Sequence, residues 1–293
     1  MRKIIISSTL LLLLLDFKQT YGQRVCTSTF NPVEVQQNEN QRYQRYLQLE
    51  QHILNYRNSL GNGIQEGRLV NLNSIIIIPV VVHVIHNIGE TIGVGHNISV
   101  AQVQSQIDVL NEDFRRLNPD NVNTPIDFQG VAADPNIEFR LACLDPNGNV
   151  TDGITRTASA VASFTDNDNI KFNSSGGHDA WPTNRYLNMW VGNLSGGLLG
   201  YAQFPFDYST KPTTDGVVIT TTGFGRVGNV AVPFHTGRTA THEVGHWRNL
   251  FHIWGDANCG NDQCNDTPQQ REANSGCPIF PSASNCTNKW CKW

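Results

Sequence analysis

A run of eleven residues in the last fifth of the chain most constrains what this sequence can fold into. Residues 242–252 read His-Glu-Val-Gly-His-Trp-Arg-Asn-Leu-Phe-His. Positions four apart share one face of a helix, so His242 and His246 can offer two ring nitrogens to one metal ion. Glu243 then lies beside the remaining coordination position. The pattern therefore predicts a zinc site of the hydrolytic kind on a helix.

His252 can add a third ligand only if the chain turns after His246. On a straight helix it would lie about 9 Å further along the axis and well round it. Asn249 allows the turn, because asparagine tolerates the left-handed backbone conformation. The alternative is that these histidines are exposed on an ordinary helix.

The wider stretch from Gly237 to Pro268 closely resembles the pappalysin family of metzincin peptidases, in particular its bacterial cytophagalysin-like branch. The metzincin motif has glycine where this chain has Asn249. Residues 106–118 and 198–205 resemble the same branch, and the resemblance extends upstream to about Ile75. It implies an α/β fold, the metzincin-type zincin catalytic domain, with a twisted mixed sheet, a backing helix and an active-site helix.

The motif and the resemblance together predict a zinc-dependent endopeptidase that hydrolyses peptide bonds of protein or peptide substrates. Zinc held by His242, His246 and His252 would activate a water molecule and polarise the scissile carbonyl. Glu243 would act as the general base and then return the proton to the leaving amine.

Composition is that of a globular protein without a nucleic-acid-binding surface. The chain has 293 residues, of which 39% are hydrophobic, so it can bury a substantial core. Its net charge is −4 and only 16% of its residues are charged. No basic patch is expected, so a nucleic-acid partner is disfavoured and none is predicted.

The N-terminus has the pattern of an export signal. Arg2 and Lys3 precede an apolar run from residue 4 to residue 15. We expect a signal peptide over residues 1–22 and a secreted, extracellular product. The run is too short to span a bilayer, and no later segment is long enough, so stable membrane anchoring is not expected. The alternative is an uncleaved anchor.

Residues 23–70 are predicted to be a prosegment-like helical region ahead of an N-terminal catalytic subdomain over residues 71–252. One amphipathic helix is expected, ended by Gly61-Asn62-Gly63. Its apolar face carries Tyr46, Leu49, Ile53, Tyr56 and Leu60.

Cys26 lies near the start of this region. The sequence Arg24-Val25-Cys26-Thr27 resembles the Arg-x-Cys-Gly-Thr stretch with which family proenzymes are thought to place a thiolate on the zinc. Cys26 is thus a candidate zymogen switch. A free or disulfide-bonded structural cysteine is the alternative.

The body of the chain alternates strand and helix patterns. Residues 75–86 predict a strand that is buried on both faces. Pro79 indicates that the first half of this strand is an edge or an entry to the sheet. His83 and His86 within it are interpreted as structural. A long helix should follow, with Ser99 as N-cap and Gln102 completing a capping box, and should stop at Asn118-Pro119.

Further strands are predicted at residues 137–143, 186–191 and 217–219. Cys143 should lie buried on the apolar face of the first. By resemblance, residues 200–204 form the edge strand that pairs with an extended substrate.

Seven cysteines in an exported chain predict disulfides, with at least one thiol left over. By resemblance, Cys259 pairs with Cys286, and Cys277 with a cysteine beyond this chain. Cys264 and Cys291 fall outside the family pattern and could pair with each other. A competing interpretation makes Cys259 and Cys264 ligands of a second zinc ion.

A loop rich in oxygen donors follows the motif. Asp262, Asp266 and Thr267 lie where family members bind calcium, and oxygen ligands suit that ion. The resemblance therefore implies Ca²⁺ as a second cofactor, with Asp266 and Thr267 as candidate ligands. A polar turn held by side-chain hydrogen bonds is the alternative.

Metzincins carry a methionine turn downstream of the motif, yet Met1 and Met189 both precede it here. The family match ends at Asn288. We therefore expect residues 253–293 to form a partial, truncated C-terminal subdomain. Two alternatives to an active enzyme stay open: a truncated inactive homologue, and a non-catalytic secreted zinc-binding module.

Overall fold

The computed structural model describes residues 25–65, 74–273, 282–283, 286 and 290–291. A mixed, twisted sheet of seven strands forms its centre. The strands are β1 (Val25–Cys26), β2 (Ile76–Asn87), β3 (Ile137–Leu141), β4 (Ile154–Ser159), β5 (Leu187–Gly192), β6 (Leu198–Ala202) and β7 (Val217–Thr220). The helices are α1 (Pro32–Asn38), α2 (Asn40–Gln65), α3 (Val100–Phe114), α4 (Ile126–Gln129) and α5 (Arg238–Trp247). A separate small ribbon joins β8 (Ser282–Ala283) to β9 (Trp290–Cys291).

Strand β2 is the middle of the sheet. It pairs in parallel with β5 on one side, and with β3 and then β4 on the other. Its residues from Val80 to Ile85 are buried, because both faces of this strand are covered. Among the described strands, only β3 pairs with Ile76 to Pro79, so this half of β2 lies at an edge, as Pro79 indicated. Ile76 and Ile77 are exposed there, which differs from the predicted burial on both faces.

One face of the sheet is covered by α3 and α5. Val103, Ile107 and Leu110 of α3 pack with Val244 of α5 and with the strands in one apolar cluster. Ser99 caps α3 as predicted, since its hydroxyl accepts a hydrogen bond from the Gln102 N–H at 3.1 Å.

Two predicted details of α3 are wrong. The Gln102 side chain does not complete a capping box, because its amide nitrogen donates to the carbonyls of Thr221 and Phe224 at 3.2 and 2.9 Å. The helix also ends at Phe114, before Asn118, and leaves Leu117 exposed.

The N-terminal region packs beside β6. Helix α2 runs to Gln65 through Gly61–Gly63, so the predicted glycine stop is wrong. Tyr46 is buried, but the side chains of Ile53 and Tyr56 are 43% and 61% exposed. Only the first part of the predicted apolar face is therefore used.

The cysteines confirm one prediction and correct others. Cys259 and Cys286 form a disulfide bond. Cys264 is a free thiol and Cys259 is bonded, so neither the Cys264–Cys291 pair nor a second zinc site on Cys259 forms. The signal-peptide region and Cys277 lie outside the described residues.

Cys143 is exposed, which contradicts the predicted buried thiol. Strand β3 ends at Leu141, and Ala142 is held against β2 by its N–H bond to Val80 O at 2.8 Å. The next side chain therefore turns outward. Among the described helices, none is long and apolar enough to cross a membrane.

Candidate metal centre

Helix α5 carries the motif and is fixed against α3. The Thr241 hydroxyl donates to Asp113 Oδ2 at 2.6 Å, and Arg238 Nε lies 3.1 Å from the same oxygen. The helix begins after Gly237, whose φ of 76° favours glycine. These contacts position one face of α5 toward the edge strand.

The predicted turn after the helix is present. Asn249 has a φ of 72°, in the left-handed region, and its N–H donates to His246 O at 2.8 Å. The Leu250 N–H donates to Gly245 O at 2.9 Å. The chain thus reverses and carries His252 back toward the helix.

The three histidine rings converge on one point. The Nε2 atoms of His242 and His246 are 3.0 Å apart, those of His246 and His252 are 3.2 Å apart, and those of His242 and His252 are 3.3 Å apart. A tetrahedral zinc ion with bonds of about 2.0–2.1 Å to nitrogen needs ligand nitrogens about 3.3 Å apart. The donor set and its spacing therefore fit zinc.

Two of the rings are oriented from behind. His246 Nδ1 lies 2.7 Å from Leu250 O, and His252 Nδ1 lies 2.6 Å from Asp256 Oδ1. Such contacts at Nδ1 direct the other ring nitrogen to the metal. The Trp254 ring stacks on His252 with centroids 4.2 Å apart and restricts its rotation.

Two of these imidazoles, His242 and His246, are kept neutral by their surroundings. Burial lowers the pKa of His246 to about 3, and the neighbouring rings of His242 and His252 add to the shift. Desolvation also lowers the pKa of His242 to about 4, although this residue is exposed to solvent. Neutral imidazole is the form that binds a metal ion.

Glu243 lies beside the cluster and is 1% exposed. Its Oε2 atom accepts a hydrogen bond from the Cys26 thiol at 3.6 Å and lies 3.3 Å from Ser28 Oγ. Burial raises the pKa of this carboxyl to about 8. A Cβ at Gly200 would lie 3.0 Å from Glu243 Cγ and 2.7 Å from Val218 O, so glycine lets the edge strand approach this carboxylate.

The N-terminal region occupies the space in front of the histidines. Strand β1 pairs in parallel with β6, with Cys26 opposite Gly200. The edge strand is thus Leu198–Ala202, two residues earlier than predicted, and its outer edge pairs with this chain's own β1.

Cys26 joins the histidine cluster. Its sulfur and the ring nitrogens of His242, His246 and His252 all lie within 4.8 Å of one another. Burial raises the pKa of this thiol, and Glu243 raises it further. Within the described part of the chain, this is the one group of metal-binding side chains found.

Sequence patterns missed two residues that complete the site. Ser28 Oγ accepts a hydrogen bond from the Ala202 N–H at 2.6 Å and so ties the N-terminal region to the edge strand. Asp256 Oδ2 accepts from the Phe30 N–H at 2.7 Å. In the sequence, Asp256 is marked only by its position, because it is an acidic residue four places after His252.

The loop predicted to bind calcium is folded on itself. Asp262 accepts a hydrogen bond from the Cys264 N–H at 3.0 Å, and the Thr267 N–H donates to Cys264 O at 3.1 Å. Burial raises the pKa of Asp262, with a smaller contribution from nearby Asp266. A calcium site at Asp266 and Thr267 stays a prediction.

Sequence comparison finds metallopeptidases. The family model described as Pregnancy-associated plasma protein-A matches residues 171–293. An extracellular metalloprotease of Pyricularia oryzae is 31% identical over 231 residues, which are 76% of this chain and 66% of that protein. Extracellular metalloprotease 1 of Coccidioides posadasii is 40% identical over 97 residues, 32% of this chain. The chain thus spans 34% and 66% of the length of these two relatives.

Solved structures give a longer match. A promirolysin mutant of Tannerella forsythia is 50% identical and has a TM-score of 0.79, covering 91% of this chain and 83% of that one. Mature mirolysin of the same organism, in complex with a cleaved peptide, is 56% identical with a TM-score of 0.70. It covers 74% of this chain and 80% of the mirolysin chain. This chain therefore belongs to the pappalysin family of metzincin metallopeptidases.

Proposed function

We propose that this protein is a secreted zinc endopeptidase that is made in a latent form. The convergence of three histidine Nε2 atoms within 3.3 Å, next to the buried Glu243, carries the proposal. Two curated relatives are named extracellular metalloproteases, which supports secretion. A peptide bound to mature mirolysin supports peptide substrates.

Three histidines would hold the metal: His242, His246 and His252. Zinc bound there supplies Lewis-acid activation of a water molecule and of the scissile carbonyl. Glu243 would take the proton of that water through its Oε2 atom, which faces Cys26 and Ser28 in this structure. The same carboxyl then delivers the proton to the leaving amine.

The edge strand would bind the substrate main chain. Strand β6 already pairs with an extended segment, β1, through its outer edge. A peptide taking the place of β1 would satisfy the same backbone groups, which is how sheet edges bind peptides. Gly200 would let that peptide lie next to Glu243.

The N-terminal region would keep the cleft closed. Cys26 is a free thiol that faces the three histidines, so its thiolate would be the fourth ligand of the bound metal. A disulfide-bonded structural role does not fit a free thiol. The promirolysin match covers 91% of this chain and the mature mirolysin match 74%, which supports a removable N-terminal region.

The test is the variant Glu243→Gln. The full chain would be cut after Glu66 by a site-specific protease whose recognition sequence is inserted there. The protease is then removed, and zinc content and casein hydrolysis are measured. The variant should keep one zinc ion per chain and lose hydrolysis, because the amide cannot accept the proton. The exposed Glu272→Gln variant is the matched control and should match the wild type.

Two results would contradict the proposal. Equal hydrolysis by the wild type and by Glu243→Gln would remove Glu243 from the mechanism. Zinc bound by the wild type without any hydrolysis would favour an inactive homologue or a non-catalytic zinc-binding module.

A further inference from the structure

A buried carboxylate lies just beyond the end of the edge strand. Asp207 closes the short 3₁₀ turn Pro205–Asp207 and is 7% exposed. The turn is held by backbone bonds, from Asp207 N–H to Phe204 O and from Lys211 N–H to Asp207 O, both at 3.0 Å. These backbone hydrogen bonds fix the position of Asp207 without any contribution from the N-terminal region.

Among the described residues, the side chains that neutralise this carboxylate both come from α2. Arg42 Nε lies 3.0 and 3.2 Å from its two oxygens, and Arg45 Nη2 lies 3.0 Å from Oδ1. Arg45 Nε also donates to Phe206 O at 3.1 Å. Loss of α2 would remove both partners and leave this carboxylate free to bind another cation.

The wall next to Asp207 is also suited to a guanidinium group. The Arg42 guanidinium carbon lies 5.4 Å from the centroid of the Phe206 ring, at cation–π distance. A carboxylate that binds two guanidinium nitrogens beside an aromatic face is the arrangement that selects arginine. In this chain Arg42 shows which ligand fits.

The surrounding recess stays acidic once the two arginines are removed. A cavity of about 350 Å³ adjoins Asp207, and Asp166, Asp168, Lys171 and Lys211 line its other walls. Lys171 Nζ forms a salt bridge with Asp168 Oδ1 at 2.8 Å. Three carboxylates would then face two ammonium groups, a balance that favours a basic ligand.

The recess is within reach of a peptide in the cleft. The chain's own path runs from Cys26 at the histidines to Phe30, whose ring lies 4.7 Å from that of Phe206. The Arg42 guanidinium carbon lies 5.5 Å from the Phe30 ring. Four extended residues cover about 13 Å, so a side chain two to four residues from the scissile bond would reach Asp207.

We propose that Asp207 and the Phe206 ring form a substrate subsite for arginine, on the side of the cleft where β6 ends. The assignment rests on the proposed endopeptidase activity. In the latent chain Arg42 and Arg45 fill this subsite from within. Removal of the N-terminal region therefore opens the metal site and the arginine subsite together.

The first test measures binding and needs no activity. In the full-length Arg42→Ala/Arg45→Ala variant, N-acetyl-argininamide should raise Tm more than N-acetyl-citrullinamide, its neutral isostere. The difference should vanish when Asp207→Asn is added, because the neutral amide carries no charge to bind. Equal shifts by the two compounds in the double variant would overturn the proposal.

The second test measures specificity on the full chain nicked after Glu66. Peptides that differ only by arginine or citrulline, two to four residues from a fixed scissile bond, are compared by kcat/KM. Arginine should be preferred roughly 10- to 100-fold at one position, as expected for a charge-assisted pair. Asp207→Asn should reduce this ratio to about one, and Asp127→Asn, at an exposed aspartate, should not change it.

The outcomes separate the two proposals. Failure of the wild type to cleave any peptide in the set would contradict the proposed endopeptidase function. Cleavage with the same arginine-to-citrulline ratio in the wild type and in Asp207→Asn would leave that function standing and refute the subsite. That second result would make the Asp207 contacts a purely structural anchor for α2.

Discussion

Replacing Phe30 with alanine should release the N-terminal region from the cleft. The Phe30 ring is 1% exposed and lies at the centre of an aromatic cluster. Its centroid is 4.7 Å from that of Phe206, 4.9 Å from Tyr46 and 5.2 Å from Phe251. The rings of Phe206 and Phe251 belong to the predicted catalytic subdomain, residues 71–252, so the cluster joins that part to the predicted prosegment.

The size of the effect follows from this packing. Truncation of a buried phenylalanine to alanine costs about 3–5 kcal/mol. Most of that loss would fall on the closed arrangement, because the open form does not make the contacts with Phe206 and Phe251. Each 1.36 kcal/mol is a factor of ten, so the open population should rise between roughly 10²- and 10⁴-fold.

Alkylation of Cys26 measures this opening. The rate of its reaction with iodoacetamide is followed by peptide mass spectrometry in metal-free protein, where the thiol is not a metal ligand. Cys143 is exposed and gives the reference rate for the reagent. The control is Val33→Ala, since Val33 lies in the same region but is 64% exposed. The reasoning is refuted if Cys26 reacts no faster in Phe30→Ala than in Val33→Ala.

Two further predictions concern the edge strand and the sheet. Gly200→Ala should lower kcat/KM about 10²-fold with zinc retained, because the added Cβ would displace Glu243. The control is Gly130→Ala, since a Cβ at Gly130 would meet open space. Equal kcat/KM values for the two variants would contradict the role of Gly200. Burial lowers the pKa of His83 to about 3 in the folded protein, from about 6.5 in the unfolded chain. The neutral buried ring therefore contributes fully to the free energy of unfolding above about pH 6.5, and this contribution is lost as the pH falls toward 3. NMR titration of folded protein should show the His83 ring neutral at pH 5, and a measured pKa near 6 would contradict its burial.

Local sequence was sufficient where one residue determines the backbone. Asn249 indicated the left-handed turn that returns the third histidine, and the structure has this conformation. Ser99 indicated the start of α3 for the same reason, since the N-cap bond lies within one helical turn. Strands β5 and β7 were also predicted, because short segments rich in β-branched and aromatic residues favour strands.

Contacts between distant residues could not be predicted in this way. Ser28 and Glu243 are 215 positions apart in sequence, and no pattern near either residue indicates the other. Gln102 was predicted to complete the capping box of α3 from local sequence alone. Its side chain instead donates hydrogen bonds to the carbonyls of Thr221 and Phe224, which are distant in sequence. Cys143 shows the complementary failure, since the alternation that predicted its burial ends with the strand two residues earlier.

Asp256 would allow the proposed latency and the proposed metal binding to share a residue without conflict. One of its oxygens accepts from His252 Nδ1 at 2.6 Å and the other from the Phe30 N–H at 2.7 Å. Departure of Phe30 would free only the second oxygen, which water can then satisfy. The bond that orients His252 would persist in both states. We therefore expect activation to move Cys26 and Ser28 away from the proposed metal site and to leave the three histidines as they stand in this structure.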